Sequence, residues 1–576
     1  MKLNKIIYGI LCLTTLNACS DQMEYKEYSN YGADYVKRTF GDVGGLVANI
    51  YLGLDTDYGN YSGAILGSAT DESVYAHTGN QIADFYNGAW SPTNAKSSMW
   101  TSCYKAIANC NNYLEEFTGL TFSEYEQISD YEAEMYRYNN YQYEVRFLRA
   151  YFYFNLVRQY GDVPFTDHVL STTEVNTLTR KPAQEVFDWI IKECDEIKDL
   201  IIPDYNNLGA LVPSGESAET GRANKRTVLA LKARTALYAA SPLFNSHQEG
   251  SQGYKELWYR AAKANKELIE TCEDAGMRLI DDYENLWDAK SYSIAIDELI
   301  FGCRAIRATN SFEKYNFPVG LENCRGGNCP TQTLVDAYEL KDSGERPDKK
   351  ADYDKNKPYY EGRDPRFEKT IAKNGDTKWP NWNETALETY QGGANAEPLS
   401  GGTPTGYYLK KYCQTSINTT TAKPTTDNHT WIIYRLGEFY LNYAEALFKY
   451  LGTAYATNNE FPIPANEMVS KTRRRTKVNM PKFPAGLDNK LWWEKYQNER
   501  MVELAFEGHR FWDVRRWKEG DKHFSSIDEM KIYKSGDSYS YRRVTVNRQW
   551  DDKMYFFPIP QSEKAKNPNL TQNPGW

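Results

Sequence analysis

The nineteen residues from Glu499 to Trp517, near the C-terminal end, restrict the fold more than any other part of the chain. A helix through them sets Arg500, Glu503, Glu507 and Arg510 at i, i+3, i+7 and i+10, on one face with alternating charge, while Leu504, Phe511 and Trp512 supply apolar bulk around it. Such a stripe pairs within itself. A catalytic reading makes Glu503 and Glu507 an acid/base couple. Two carboxylates one turn apart, flanked by two arginines, are instead both held ionised, which suits structure better than proton transfer. Buried charges must be paired, and a paired network fixes how neighbouring elements dock.

A chain of 576 residues with 41% hydrophobic content buries a large core, in one large domain or several ordinary ones. Its 46 Tyr and 14 Trp, against 6 His and 10 Met, favour flat stacking surfaces or an aromatic core over metal or proton chemistry. No metal or cofactor is expected. The formal charge of −9 becomes −11 without Lys2 and Lys5, and no basic run interleaves with the aromatics, so a nucleic-acid or anionic-lipid partner is not expected.

Residues 1–18 read as an export leader: Lys2 and Lys5, the apolar run Ile6 to Leu13, then Leu16-Asn17-Ala18-Cys19. The apolar run is too short to span a bilayer. Leu-x-Ala-Cys has the form of a lipoprotein box, in which Cys19 is acylated and anchors the protein by lipid; the alternative is an ordinary leader with a chance cysteine. Residues 19–30 then form a polar tether. Of the remaining cysteines, Cys103 and Cys110 lie about 10 Å apart along one helix, too far to bridge, and read as core thiols. Cys324-Arg325-Gly326-Gly327-Asn328-Cys329 fits a small disulfide loop or two free loop thiols, and no histidine cluster nearby suggests zinc.

Periodicity predicts helices over Asp34–Gly53, Trp100–Phe117, Tyr141–Tyr160, Ala183–Ile201, Thr227–Ala240, Glu256–Cys272, Ile432–Leu451 and Leu491–Gly508. Residues 59–94 break the rhythm with Asp71, Tyr75, Asn80, Asp84, Tyr86 and Trp90, a polar and aromatic mixture of the kind found in functional loops. Between Arg278 and Thr430 the rhythm fades again among glycines, prolines and aromatics, including Trp287, Tyr315, Tyr359, Tyr360, Trp379, Trp382 and Tyr390. Trp287, inside Asp282 to Trp287, reads as core. Short strand-like runs appear at Glu298–Gly302 and Gly406–Tyr412.

The opening stretch, together with Phe557-Pro558-Ile559-Pro560 and Asn567 to Trp576, resembles the C-terminal signature of the SusD/RagB family of Bacteroidetes outer-membrane lipoproteins. Further matches are Ala106 to Asn111, Arg146 to Tyr151, Tyr160 to Pro164, Ala230 to Arg234 and Asp364-Pro365-Arg366-Phe367, in order along essentially the whole chain. The resemblance implies a mainly α, SusD-like fold. In it a tetratricopeptide-like helical-repeat scaffold, 31–277 and 431–576, carries a ligand-binding insertion of short strands and loops at about 278–430, all in one domain. It also implies a surface lipoprotein that captures oligosaccharide, or in some members peptide, and delivers it to a SusC-like TonB-dependent barrel. A loose likeness to fructan importers makes levan the first sugar to test. Sugar rings stack on Trp or Tyr while their hydroxyls pair with Asp, Asn and Arg. Carried over by region, the expected ligand residues are Asp71, Trp90, Cys303, Arg363, Arg366, Trp379, Trp382 and Tyr390, with Arg366 equally readable as structural. Trp90, between Gly88 and Pro92, is the leading stacking platform. Motifs for bond-breaking are missing, and a glycosidase, which needs only two carboxylates from separate elements, stays as the enzymatic alternative.

Overall fold

The apolar stripes become helices that start and stop on local chemistry. A computed structural model describes residues 32–213, 221–347 and 361–576; the leader, Cys12, Cys19 and the tether, and Tyr359 and Tyr360, lie outside them. Helix α1 (Phe40–Tyr51) is capped by Thr39, whose hydroxyl accepts from the Asp42 amide at 3.0 Å. Helices α2 (Ser98–Glu116), α3 (Tyr131–Tyr160), α4 (Ala183–Ile197), α5 (Lys225–Ala240) and α6 (Gln252–Asp274) follow. Asn224 caps α5 and Ser251 caps α6, and α3 stops at Gly161, whose φ of 70° a side chain would resist. After the insertion come α7 (Leu436–Leu451), α8 (Ala465–Arg473), α9 (Asn489–Glu503) and α10 (His509–Arg516). No helix among the described residues is long and apolar enough to cross a membrane.

Successive helices pack in series from α2 to α8, and α7 packs directly on α6 although residues 275–435 intervene. The chain therefore leaves the helical stack and returns to the helix it left. Strands β1 (Leu299–Thr309) and β2 (Asp427–Arg435) pair antiparallel, with Phe301 opposite Tyr434, and bracket most of the insertion. The expected helix Ile432–Leu451 thus starts four residues late: Ile432 and Ile433 are β-branched, suit a strand, and are held there by β1. A hairpin of β3 (Ser526–Ser535) and β4 (Ser538–Asn547) follows α10.

The opening stretch is two helices, not one. Phe506 and Gly508, at φ 61° and 79°, break it after Glu503, so the four charged residues do not share a face and do not pair with each other. Their partners come from elsewhere. Glu503 accepts from Arg366 at 2.7 Å, Arg435 at 2.8 Å and Arg475 at 2.9 Å, and Glu507 from Lys411 at 2.7 Å and Arg435 at 2.8 Å. Arg500 holds Asp513 at 2.6 Å, and Arg510 grips Asp71 through two bonds of 2.8 and 2.7 Å. Burial alone would raise the Glu503 carboxyl; the surrounding guanidiniums outweigh it and hold it well below the usual carboxylate range. The stretch is a buried structural knot, and it ties insertion residues Arg366 and Lys411 to the C-terminal helices.

The eight described cysteines are free and buried, Cys324 and Cys329 included. The Cys324 thiol lies 3.1 Å from the Thr419 hydroxyl. Trp287 is core, packed on Tyr283 and Tyr412 at 5.2 and 6.2 Å.

Candidate functional site

Where residues 59–94 meet the insertion, several polar and aromatic side chains converge at the surface on a rigid frame. Ser73–Tyr75 pairs antiparallel with Asn328–Pro330, and the Ala76 amide donates to the Gly327 carbonyl at 2.8 Å. Asn328, fully buried, is the knot of the frame. Its Oδ1 accepts from the Ile65 amide and the Ser68 hydroxyl at 3.0 and 2.8 Å, while its Nδ2 donates to Gly63 O and Asn316 Oδ1 at 3.2 and 2.7 Å. The 63–68 turn is thereby locked to Asn316 and to the strand of Asn328 by one amide.

Two glycines let backbones touch. A Cβ at Gly327 would sit 1.9 Å from Tyr315 O, and one at Gly401, where φ is 83°, would sit 1.8 Å from Arg325 O. Neither contact leaves room for any other residue.

On this frame Tyr315, at the end of the short helix Ser311–Asn316, is 37% exposed. The exposed Arg325 places its guanidinium 5.2 Å from the Tyr315 ring centre. Beside them the Tyr75 and His77 rings lie 5.5 Å apart, and the His77 imidazole stands 3.3 Å from Gly326 O. Burial, with Tyr315 close by, pushes the Tyr75 phenol up to about 12, so it stays a neutral donor, 3.4 Å from Ser62 O. Asn80 and Gln81 donate to Ser62 O and its hydroxyl at 3.1 and 3.2 Å. An exposed ring, a guanidinium and a rim of amide, imidazole and hydroxyl groups can stack a flat apolar face and bond its polar edge. Among the described residues no group of three or more His, Cys, Asp or Glu is placed to hold a metal ion.

The SusD family model matches residues 298–576, and a second model, described as starch-binding associating with outer membrane, matches residues 23–236. The chain is 23% identical to SusD-like protein P2 of Formosa agariphila over the full length of both. A SusD-like protein of Bacteroides fragilis is 25% identical with a TM-score of 0.75, covering 94% of this chain and 98% of that one. A SusD-like carbohydrate binding protein of the same species, 22% identical with a TM-score of 0.72 over 93% of this chain and all of that one, shares the fold.

The chain belongs to the SusD-like family. The mainly α, tetratricopeptide-like fold expected from the resemblance is the fold observed.

In this SusD-like protein most of the residues expected to hold ligand are interior. Trp90 is 2% exposed, enclosed by Phe557, Phe85 and Trp576 at 4.6, 4.8 and 5.0 Å. The C-terminal tail folds over its loop, which removes it as a platform. Asp71 is consumed by Arg510. Arg366 is fully buried between Asp364, Glu499 and Glu503, which decides its even reading for structure. Cys303 lies buried on β1 opposite Trp431, and Arg363 is buried with its guanidinium on the Tyr338 and Val335 carbonyls. Trp379 is buried against Phe317 at 5.4 Å. Each of these six positions is corrected: a ligand at the surface cannot reach them. Trp382 and Tyr390 are half-buried. The Trp382 indole donates to Ile417 O at 2.9 Å, and Tyr390 meets Tyr539 at 5.9 Å with the Lys534 ammonium 4.9 Å from its ring.

Tyr315, Tyr75 and Asn80 stood out in the sequence as loop residues, but Arg325, His77 and Gln81 did not. Arg325 sits inside the Cys324 to Cys329 segment, where the paired cysteines drew the reading toward a disulfide.

Proposed function

We propose that the Tyr315–Arg325 face captures a glycan at the cell surface without cleaving it and passes it to a TonB-dependent outer-membrane barrel. The observation that carries this reading is an exposed tyrosine ring beside a guanidinium, on loops that backbone contacts and one buried asparagine hold still. Preorganised stacking surfaces suit sugars, because little freedom is lost on binding. The second family's description as starch-binding and outer-membrane-associated supports it. The direct packing of α7 on α6 and the buried ion network support one domain, in which the helical stack presents the insertion and the 59–94 loops together.

Calorimetric titration of a glycan panel, with fructans as the first neutral members and peptides as the competing class, tests the function. Tyr315→Ala is expected to lose detectable binding at unchanged thermal stability, since its ring is partly exposed and a stacking contact is worth about 0.5–1.5 kcal/mol beyond its area. Unchanged affinity in that variant would remove the face from the site, and binding of peptides alone would move the protein to the peptide-binding class.

Membrane attachment is proposed through Cys19, from the Leu16 to Cys19 spacing. Cys19→Ala is expected to shift the protein out of the membrane fraction in cells lacking the barrel. Retention there would refute a lipid anchor.

A further inference from the structure

The candidate face carries exposed positive charge. The protein has a formal charge of −9, and most of its basic side chains are matched to carboxylates. On the β3–β4 hairpin itself, Lys531 pairs with Glu397 and Glu529 at 3.1 and 3.2 Å, and Arg543 with Asp336 and Asp528 at 2.7 and 2.9 Å. Two exposed cations around the candidate face are not matched in this way, and each lies on a tyrosine. Arg325 is 5.2 Å from the Tyr315 ring and Lys534 is 4.9 Å from Tyr390; Arg542, 5.4 Å from Tyr533, lies on the opposite face of the hairpin. Among the described residues neither Arg325 nor Lys534 forms an ion pair with a carboxylate.

The carboxylates nearby are engaged otherwise. Glu388, which faces Tyr390 and Lys534, accepts from the Ala394 amide at 3.1 Å, and Glu322 accepts from the Thr421 amide at 2.8 Å. The two clusters are joined through one segment. Gln391 N donates to Ile532 O at 2.8 Å and Asn395 Nδ2 to Val319 O at 2.7 Å, so the stretch between Tyr390 and Thr405 spans from the hairpin to the Tyr315 loops.

We propose that this surface selects an acidic glycan, one bearing uronate carboxylates or sulfate esters, with Arg325 as the specificity-determining residue. The proposal rests on the glycan-binding reading above and narrows its ligand class. A sugar ring stacked on Tyr315 would bring an equatorial anionic group within reach of a guanidinium already lying beside that ring, and a planar fork matches a carboxylate or sulfate through two bonds. A polyanion approaching a protein of net negative charge is repelled unless local cations offset the field, which Arg325 beside Tyr315 and Lys534 beside Tyr390 do. A neutral fructan would leave those charges without a function.

The test titrates wild type, Arg325→Gln, Arg325→Lys and Tyr315→Ala with five probes: inulin, dextran, dextran sulfate, polygalacturonate and poly-glutamate. Each is measured at ~50 and ~500 mM salt, where screening differs strongly. The expected result is binding of polygalacturonate or dextran sulfate, the two arms telling carboxylate from sulfate. Arg325→Gln should weaken it by about tenfold or more, the scale of a lost charge-assisted pair, with partial rescue by Arg325→Lys and loss at high salt. Binding of inulin or dextran that is lost in Tyr315→Ala but unmoved by Arg325→Gln or by salt would overturn the acidic ligand and keep the glycan reading. Binding of poly-glutamate alone, or of no glycan in either charge class, would overturn both.

Discussion

Replacing Glu503 with alanine lowers the unfolding free energy by about 3–5 kcal/mol, the scale for removing one partner from a buried ion pair. Glu503 is fully buried and is the shared acceptor for Arg366, Arg435 and Arg475. Its loss leaves three guanidiniums short of a counter-charge in a medium that screens poorly. Glu503→Gln keeps the shape and removes the charge, so it should cost nearly as much. The exposed Glu494, on the same helix α9 but outside the buried network, serves as the control, and Glu494→Ala should change stability by less than about 0.5 kcal/mol. Chemical denaturation measures all three. Equal midpoints for Glu503→Gln and wild type would mean that the charge of this carboxylate does not hold the fold.

Trp90→Ala is expected to destabilise by about 3–5 kcal/mol, as large-to-small changes in a packed core do. The indole is enclosed by Phe85, Phe557 and Trp576, and the cavity left by its removal is lined by rings that cannot collapse far. Binding measured per folded molecule should stay at the wild-type level, because Asn80 and Gln81 stand at the opposite end of the turn Gln81–Phe85 that Trp90 supports. A variant with wild-type thermal stability and no ligand affinity would return Trp90 to the site.

These two positions mark what a reading of residues alone can reach. Helix stripes are local, and helices form at the stripes of Val186, Ile190 and Cys194 on α4 and of Leu436, Tyr440 and Leu447 on α7. The break after Glu503 was harder, because Phe506 adopts a left-handed conformation that its side chain does not advertise. Burial of a loop aromatic is harder still. Trp90 stands among glycine and proline, yet the residues that cover it come from the last twenty positions of the chain. Arg366 belonged to a tetrapeptide that could be structure or site, and only its three carboxylate partners, two of them on α9, separate these. Arg325 gave no periodic or compositional signal; its meaning comes from lying beside Tyr315.

The close backbone contacts at Gly327 and Gly401 divide the labour between main chain and side chains. The loops meet carbonyl to α-carbon at these glycines, while the Tyr315 and Arg325 side chains reach the surface. On the proposed function, a substitution at residue 315 or 325 therefore changes the capturing side chain while the glycine contacts that hold the loops stay. A gene copied to serve a new nutrient would be expected to keep its glycines and exchange its tyrosine and arginine.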